Sequence, residues 1–184
     1  QERQGKELFF IFEKKELMAL KINTFLNHKE IEHKIKRIAY QIYESNANES
    51  ELVIAGIDSN GYILAKKIKA NLDKISSIES TLCKVSIDKS EPTNPIRTSL
   101  KKEAYMNKSI VLIDDVLNSG STLIYGIKHF LDVPLKQFKT AVLVNRNHKK
   151  YPVKADFKGI SLSTSLFEHV HVNLSKKPYE AYLN

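Results

Sequence analysis

The sequence predicts an α/β domain in which helices flank a central parallel sheet. Short, mostly apolar runs rich in β-branched residues fill positions 52–57, 109–113 and 138–144. Runs of this kind are typical of strands that are buried on both faces of a sheet. Helical patterns separate the three runs, and such strand–helix alternation is typical of parallel sheets with right-handed crossovers.

Three helices are predicted around these strands. The first spans residues 28–45, because its apolar residues recur at spacings of three and four, and Asn27 is a suitable N-cap. A second helix follows Gly61 and runs through Leu72, and a third spans residues 122–131. Ligands of parallel α/β sheets bind beyond the carboxyl ends of the strands, so the turns that lead into these helices are the candidate sites.

Three further segments complete the prediction. Residues 80–87 are predicted to form another strand, and residues 155–184 to form short strands and loops. Residues 88–108 contain two prolines and several lysines with little periodicity, which predicts a long loop. A loop of that length in a compact domain usually has a function.

The length of 184 residues suits one domain with a sizeable core. We expect that domain to span residues 17–184, after an N-terminal extension over residues 1–16 that carries the apolar run 8–12. No run approaches the roughly 20 apolar residues that a membrane helix needs. Cys83 is the single cysteine, so we expect it to be a small buried hydrophobe, and a cytoplasmic location is expected.

The formal net charge of +8 leaves two interpretations open. A basic surface could bind nucleic acid, or it could be a solvated lysine-rich surface around a pocket for an anionic substrate. Only four residues are arginines, which make bidentate contacts with phosphates and bases, and this favours the second interpretation. The four are Arg3, Arg37, Arg97 and Arg146.

The strongest candidate site is the segment 110–122. Four apolar residues lead into Asp114 and Asp115, and two adjacent carboxylates at a buried strand end repel each other unless a ligand or cation uses them. Residues 118–122, Asn-Ser-Gly-Ser-Thr, then open a helix whose free N–H groups and dipole favour a phosphate. A diol site beside a phosphate site matches a ribose 5-phosphate, whereas a plain N-cap and turn would leave the carboxylate pair unexplained.

Residues 110–122 resemble the signature with which type I phosphoribosyltransferases bind 5-phosphoribosyl-1-pyrophosphate (PRPP). Residues 142–165, which include Asn-Arg-Asn-His, Ala-Asp-Phe-Lys-Gly and Ser-Thr-Ser, are similar to the pyrimidine operon regulator/uracil phosphoribosyltransferase family. Residues 55–61, Ala-Gly-Ile-Asp-Ser-Asn-Gly, resemble the pyrophosphate loop of that family. The resemblance covers about residues 20–175 and implies the type I fold, with a small hood of short strands beside the sheet.

The resemblance also implies roles for individual residues. Asp114 and Asp115 would be the catalytic acids that hold the ribose hydroxyls, and the 5-phosphate would lie in the loop that follows them. Mg²⁺ is the expected cofactor, bound through PRPP and Asp114 rather than at a dedicated site. The phosphate loop comprises Asn118, Ser119, Gly120, Ser121 and Thr122, and the pyrophosphate loop comprises Asp58, Ser59, Asn60 and Gly61.

The same resemblance places a nucleobase pocket and a lid. One wall of the base pocket would be formed by Arg146, His148, Asp156 and Phe157. Residues 88–108 would be the mobile lid that excludes water from an oxocarbenium-like state. Its candidate cations are Arg97, Lys101 and Lys102.

The chain departs from the family pattern at Asn60 and Ser121, where the family often has arginine, and at Asn145, where it often has aspartate. Each lost charged hydrogen bond to a phosphate would cost about 1.5–3 kcal/mol. Three functions are therefore carried forward: a transferase for uracil, a purine transferase, and a regulator that senses PRPP or UMP and binds RNA. The resemblance further implies a homodimer, and no membrane partner is expected.

Overall fold

A computed structural model of the chain describes residues 23–146, 148–163 and 168–184. The expected N-terminal extension, residues 1–16, lies outside these residues, so its boundary stays a prediction. Within the described ranges, no helix is both long enough and apolar enough to cross a membrane.

Six described strands form the central sheet: β2 (Glu51–Ile57), β3 (Glu79–Ser86), β4 (Arg97–Thr98), β5 (Ser109–Leu117), β6 (Gln137–Arg146) and β7 (Phe157–Leu162). Their order in the sheet is β4-β3-β2-β5-β6-β7. All neighbouring pairs are parallel except β4, which pairs antiparallel with β3 at the edge. This confirms the predicted parallel α/β architecture.

Among the described residues, four helices accompany the sheet: α1 (His28–Ser45), α2 (Asn60–Ile75), α3 (Lys102–Tyr105) and α4 (Ser121–Phe130). The helix α1 begins at the predicted N-cap, where Asn27 and Glu30 form a capping box that satisfies two free backbone N–H groups. The apolar faces of α1 and α2 are buried in one core cluster, while α4 contributes Leu123 and Phe130 to a second.

Successive residues of the central strands supply the two cores, because side chains alternate between the faces of a strand. In β5, Val111 and Ile113 belong to the cluster with α1 and α2, whereas Ile110 and Leu112 belong to the cluster with α4. Helices therefore cover both faces, which explains why the sequence of this strand is continuously apolar. Cys83 is buried in β3, as expected.

A second sheet forms the predicted hood from the described strands β1 (Thr24–Leu26), β8 (Val170–Asn173) and β9 (Glu180–Leu183). Their order is β1-β9-β8, and neighbouring strands are antiparallel. Leu26 and Ala181 are buried in the same core cluster as α1 and α2. The two ends of the described chain thus meet in the hood.

Two segments are more regular than the sequence predicts. The 88–108 segment contains β4 and the short helix α3, because Tyr105 is fully buried against Phe130 at 5.0 Å between ring centroids. The strand β5 continues past the two aspartates to Leu117, because its partner β6 extends to Arg146 and pairs Leu117 with Asn145. The acid pair therefore lies within the last part of the strand.

Candidate active site

The two acids of β5 are both buried, with 4% of Asp114 and 9% of Asp115 exposed. The backbone N–H of Asp115 donates a hydrogen bond of 3.0 Å to Oδ1 of Asp114. Burial, and next the neighbouring Asp115 charge, raise the pKa of Asp114 well above its usual range. An acid pair in this state favours any ligand that brings positive charge or hydroxyl donors to it.

The side chain of Lys89 lies beside this pair. Its Nζ is 3.6 Å from Oδ1 of Asp114 and 3.9 Å from Oδ1 of Asp115, although 49% of the lysine side chain is exposed. Lys89 lies within an anchored turn, because the Asp88 carboxylate accepts hydrogen bonds from the backbone N–H groups of Ser90 and Glu91. The sequence analysis missed Lys89. Its position just beyond the carboxyl end of β3, next to β2 in the sheet, was the available signal.

The turn after β5 has the shape of an anion-binding loop. Gly120 has a φ of 84° and is the N-cap of α4, a conformation that favours glycine. The hydroxyl Oγ of Ser119 accepts a hydrogen bond of 3.2 Å from the backbone N–H of Ser121. The backbone carbonyl of Ser119 accepts from the N–H groups of Lys150 and Tyr151. These contacts fix the loop at the N-terminus of α4, where the first backbone N–H groups of a helix have no carbonyl partner within the helix.

The acid pair and this loop share one cavity of about 340 Å³. That volume lies within the roughly 300–1,000 Å³ typical of small-molecule sites. Of the residues predicted for the acid and phosphate sites, all but Ser121 line it. The lining consists of Lys89, Asp114, Asp115, Val116, Leu117, Asn118, Ser119, Gly120, Thr122, Leu123, Val142 and Val170.

The predicted pyrophosphate loop lies between β2 and α2, next to the acid pair. Gly61 packs so closely on β5 that an added Cβ would be 2.9 Å from the Ile113 carbonyl and 3.0 Å from Asp114 Oδ1. The Asp58 carboxylate is paired with Lys84 at 3.0 Å, Ser59 is exposed, and the peptide between Asp58 and Ser59 is cis. The glycine thus brings the start of α2 into contact with Asp114.

The side-chain amide of Asn60 makes two hydrogen bonds within the protein. Its Nδ2 donates one hydrogen bond of 3.1 Å to Oδ2 of Asp115 and another of 2.8 Å to the backbone carbonyl of Val172 in β8. The residue that stands where the family often has arginine is therefore linked to the acid pair and to the hood.

The structure does not bring the predicted lid cations to the cavity. Arg97 lies in the edge strand β4, and Lys102 is paired with Asp132 at 2.9 Å. Lys101 is exposed and precedes α3 as its N-cap. Contact between these side chains and a bound ligand stays a prediction.

The predicted base-pocket residues are divided between two ends of the sheet. Arg146 is buried at the carboxyl end of β6, and its Nη1 donates a hydrogen bond of 3.3 Å to Asn118 Oδ1, while His148 is partly exposed just beyond it. Asp156 and Phe157 lie at the start of β7, where the Asp156 carboxylate accepts from the N–H and hydroxyl of Thr140. Those contacts join β6 to β7, and the part that Asp156 and Phe157 would take in a base pocket stays a prediction.

The residues of the cavity fit a magnesium ion that arrives with its ligand. Mg²⁺ is usually held by one or two carboxylates together with substrate phosphates and waters, and the acid pair supplies two carboxylates beside an anion loop. The nearby Lys89 ammonium shows that a positive charge is accommodated there. Among the described residues, no cluster of three or more His, Cys, Asp or Glu side chains could form a dedicated metal site.

Comparison with known proteins agrees with this geometry. The sequence model of the phosphoribosyl transferase domain matches residues 21–177. The chain belongs to the phosphoribosyl transferase family. It is 32% identical to the "Bifunctional protein PyrR" of Fusobacterium nucleatum, over 86% of this chain and 94% of that protein. It is also 32% identical to the protein of that name from Macrococcus caseolyticus, over 82% of this chain and 91% of the relative.

Solved structures of other phosphoribosyltransferases share the fold. A hypoxanthine-guanine phosphoribosyltransferase from Bacillus anthracis superimposes with a TM-score of 0.72 at 17% identity, over 88% of this chain and 98% of the other. The Trypanosoma cruzi hypoxanthine phosphoribosyltransferase in complex with the product IMP gives a TM-score of 0.71 at 13% identity, over 88% and 93% of the two chains. The predicted type I phosphoribosyltransferase fold is thus confirmed, and so is the resemblance to the pyrimidine regulator family.

Proposed function

We propose that this member of the phosphoribosyl transferase family transfers the 5-phosphoribosyl group of PRPP to uracil, giving UMP and pyrophosphate. In this reaction the bond between C1 of the ribose and the pyrophosphate oxygen breaks, and a bond between C1 and a ring nitrogen of the base forms. The proton of that ring nitrogen is released to solvent or to the departing pyrophosphate.

One observation carries the proposal: two buried carboxylates and a helix-capping glycine loop line the same cavity. Carboxylates are good acceptors for the two ribose hydroxyls, and the N–H groups at the start of α4 suit the 5-phosphate. Asp114 and Asp115 would hold the sugar, and the backbone of Gly120 and the hydroxyls of Ser119 and Thr122 would hold its phosphate. Ser121 does not line the cavity, and its backbone N–H supports the loop by donating to Ser119 Oγ.

The residues around the cavity act by position and charge. The pyrophosphate would lie between the turn of Asp58, Ser59 and Gly61 and the Lys89 ammonium, because Gly61 packs against Asp114 and the ammonium lies 3.6 Å from the same carboxylate. Mg²⁺, when bound with PRPP, supplies positive charge to the leaving group. Orientation and electrostatic stabilisation of this kind require no covalent intermediate on the protein.

The choice of uracil is supported by the similarity of residues 142–165 to the pyrimidine regulator family. Several proteins that share the fold carry hypoxanthine in their names, so purines must be tested beside it. The experiment is a phosphoribosyl-transfer assay with PRPP, Mg²⁺ and one of uracil, hypoxanthine, guanine or adenine. Turnover with uracil alone is expected. Turnover with a purine alone would replace uracil in the proposal, and no turnover with any base would overturn the enzymatic function.

A second candidate function, RNA binding by a regulator, is favoured by a separate basic cleft. This cleft of about 410 Å³ lies between α1 and α2 and is lined by Lys36, Lys67 and Lys74, with Glu32 as its single acid. Glu32 is paired with His28 and Lys177, whereas Lys36 and Lys74 make no ion pair among the described residues. Lysines without carboxylate partners remain available for phosphates.

The RNA function is tested with RNA transcribed from the leader of a pyrimidine gene cluster. Replacing Lys36 and Lys74 by alanine should weaken binding and reduce the slope of log affinity against log salt by about 1.5, because two phosphate contacts are lost. The matched control is Lys128→Ala, which removes an exposed lysine from α4. Equal loss in both variants, or no RNA binding by the unmodified protein, would remove this candidate.

A homodimer and a cytoplasmic location are further proposals that follow from the family. Light scattering of the purified protein should give about twice the mass of one 21.1 kDa chain. A monomer would contradict the first of these proposals.

A further inference from the structure

The amide of Asn60 connects three parts of the molecule. Asn60 is the first residue of α2, and its Nδ2 donates to Oδ2 of Asp115 in β5 and to the backbone carbonyl of Val172 in β8. An amide nitrogen carries two hydrogens, so both are used in these bonds. The side chain is therefore engaged within the protein and does not line the cavity that the acid pair shares with the phosphate loop.

The bond to Asp115 fixes the orientation of its carboxylate. Oδ2 accepts from Asn60 at 3.1 Å, and Oδ1 lies 3.9 Å from the half-exposed ammonium of Lys89. The first contact is a hydrogen bond from a partly buried side chain, whereas the second exceeds hydrogen-bonding distance. Asn60 thus holds the Asp115 carboxylate by a hydrogen bond, while Lys89 contributes charge.

The bond to Val172 extends this arrangement to the hood. Val170 in the same strand lines the cavity, so β8 forms one side of the site. A movement of β8 would displace the Asn60 amide, which orients Asp115. An amide is neutral, so it orients the Asp115 carboxylate without cancelling its charge. An arginine at this position would cancel that charge.

We propose that Asn60 is a positioning residue, which orients Asp115 toward the ribose and couples it to the hood strand β8, and is not a phosphate ligand. The inference rests on the proposed function, because it assumes that Asp115 receives the ribose hydroxyls of PRPP. In this chain one residue of the pyrophosphate loop, Asn60, would therefore orient Asp115 instead of binding phosphate.

The test uses three ligands that carry different parts of PRPP. Affinities of the unmodified protein and of Asn60→Leu are measured by calorimetry for PRPP with Mg²⁺, for ribose 5-phosphate, and for pyrophosphate with Mg²⁺. The variant should bind PRPP and ribose 5-phosphate about tenfold more weakly, the size of one charge-assisted hydrogen bond. Pyrophosphate contains no ribose, and its affinity should not change.

A control and a second readout separate positioning from general damage. Asn71→Leu removes another asparagine of α2, whose amide donates to the Lys67 carbonyl, and it should leave all three affinities unchanged. Hydrogen exchange should become faster at the β8 amides, residues 170–173, in Asn60→Leu and not in Asn71→Leu.

The possible outcomes distinguish this inference from the function on which it rests. Weakened pyrophosphate binding in Asn60→Leu would show that Asn60 is a phosphate ligand, and unchanged ribose 5-phosphate binding or unchanged exchange in β8 would also overturn the inference. If the unmodified protein bound neither PRPP nor ribose 5-phosphate, the proposed function would fail and the inference with it. Normal binding by the unmodified protein with no loss in the variant would remove the inference alone.

Discussion

The ammonium of Lys89 lies 3.6 Å from the Asp114 carboxylate, and both residues line the cavity that holds the acid pair. Lys89 is the single cation among the described residues that line this cavity. Its charge opposes the effects of burial and of Asp115, because it lowers the pKa of Asp114 while both of those raise it. Lys89 therefore supplies the counter-charge of the two acids, and its ammonium can bind an anionic ligand.

Replacing Lys89 by methionine should weaken the binding of PRPP with Mg²⁺ by about tenfold. Two effects oppose each other, because the variant also frees the acids from a competing cation. The exposed ion pair is worth about 0–1 kcal/mol, whereas a charged hydrogen bond to a phosphate contributes about 1.5–3 kcal/mol, so the loss dominates. Calorimetric titration with PRPP measures the difference.

The matched control for this variant is Lys136→Met. Lys136 is another half-exposed lysine, its ammonium is paired with Glu49 at 2.9 Å, and it does not line the cavity. Its replacement should leave the affinity for PRPP nearly unchanged. Tighter binding by Lys89→Met, or an equal loss in both variants, would contradict the role given to Lys89.

Asp114→Asn should increase the free energy of unfolding at pH 7. The pKa of Asp114 is raised in the folded protein, so the folded state holds its proton to a higher pH than the unfolded state does. Stability from this group is therefore full near pH 4 and is lost as the pH rises through the folded pKa. Asparagine does not ionise, so the gain should be absent near pH 4 and grow toward pH 7.

Urea unfolding at several pH values measures this trend. Asp132→Asn is the control, because Asp132 is a surface acid whose pKa is lowered by Lys102. Its replacement should reduce stability slightly at pH 7, which is the opposite sign. A gain for Asp114→Asn that was the same at pH 4 and pH 7 would argue against a buried, repelled carboxyl group.

Gly61→Ala should destabilise the protein by about 1–3 kcal/mol, the usual cost of overpacking. The new Cβ would be 2.9 Å from the Ile113 carbonyl and 3.0 Å from the Cα of Asp114, and a strand backbone cannot give way as a side chain can. Gly126→Ala is the control, since its Cβ would meet the flexible end of Leu112 at 2.9 Å. Thermal unfolding compares the two. An equal or smaller cost at Gly61 would mean that α2 does not depend on this close approach.

The sequence was sufficient to predict the parallel sheet and its two main helices because each pattern has a direct physical cause. Asn27 caps α1 as predicted, and the apolar run before Asp114 is buried on both faces of β5. The extension of β5 to Leu117 could not be predicted, because it depends on hydrogen bonds to β6, a partner 20 residues or more away in the chain.

The site was predictable where its residues are contiguous. The acids and the loop of residues 118–122 follow one another along the chain, so their shared cavity follows from local sequence. Lys89, in the loop after β3, and Asn60, at the start of α2, come from other parts of the chain, and their contacts with the acids depend on tertiary packing. For the same reason Asp156, similar in sequence to a family motif, is engaged with Thr140 outside the cavity.

Titration of PRPP in the presence of Mg²⁺ into the unmodified protein and into Asp115→Asn tests the central claim most directly. The unmodified protein should bind, and the variant should lose at least tenfold in affinity while its unfolding temperature stays within a few degrees, because the shape of the side chain is kept. Equal affinity in the two proteins, with both folded, would contradict the claim that the acids of β5 hold the ribose.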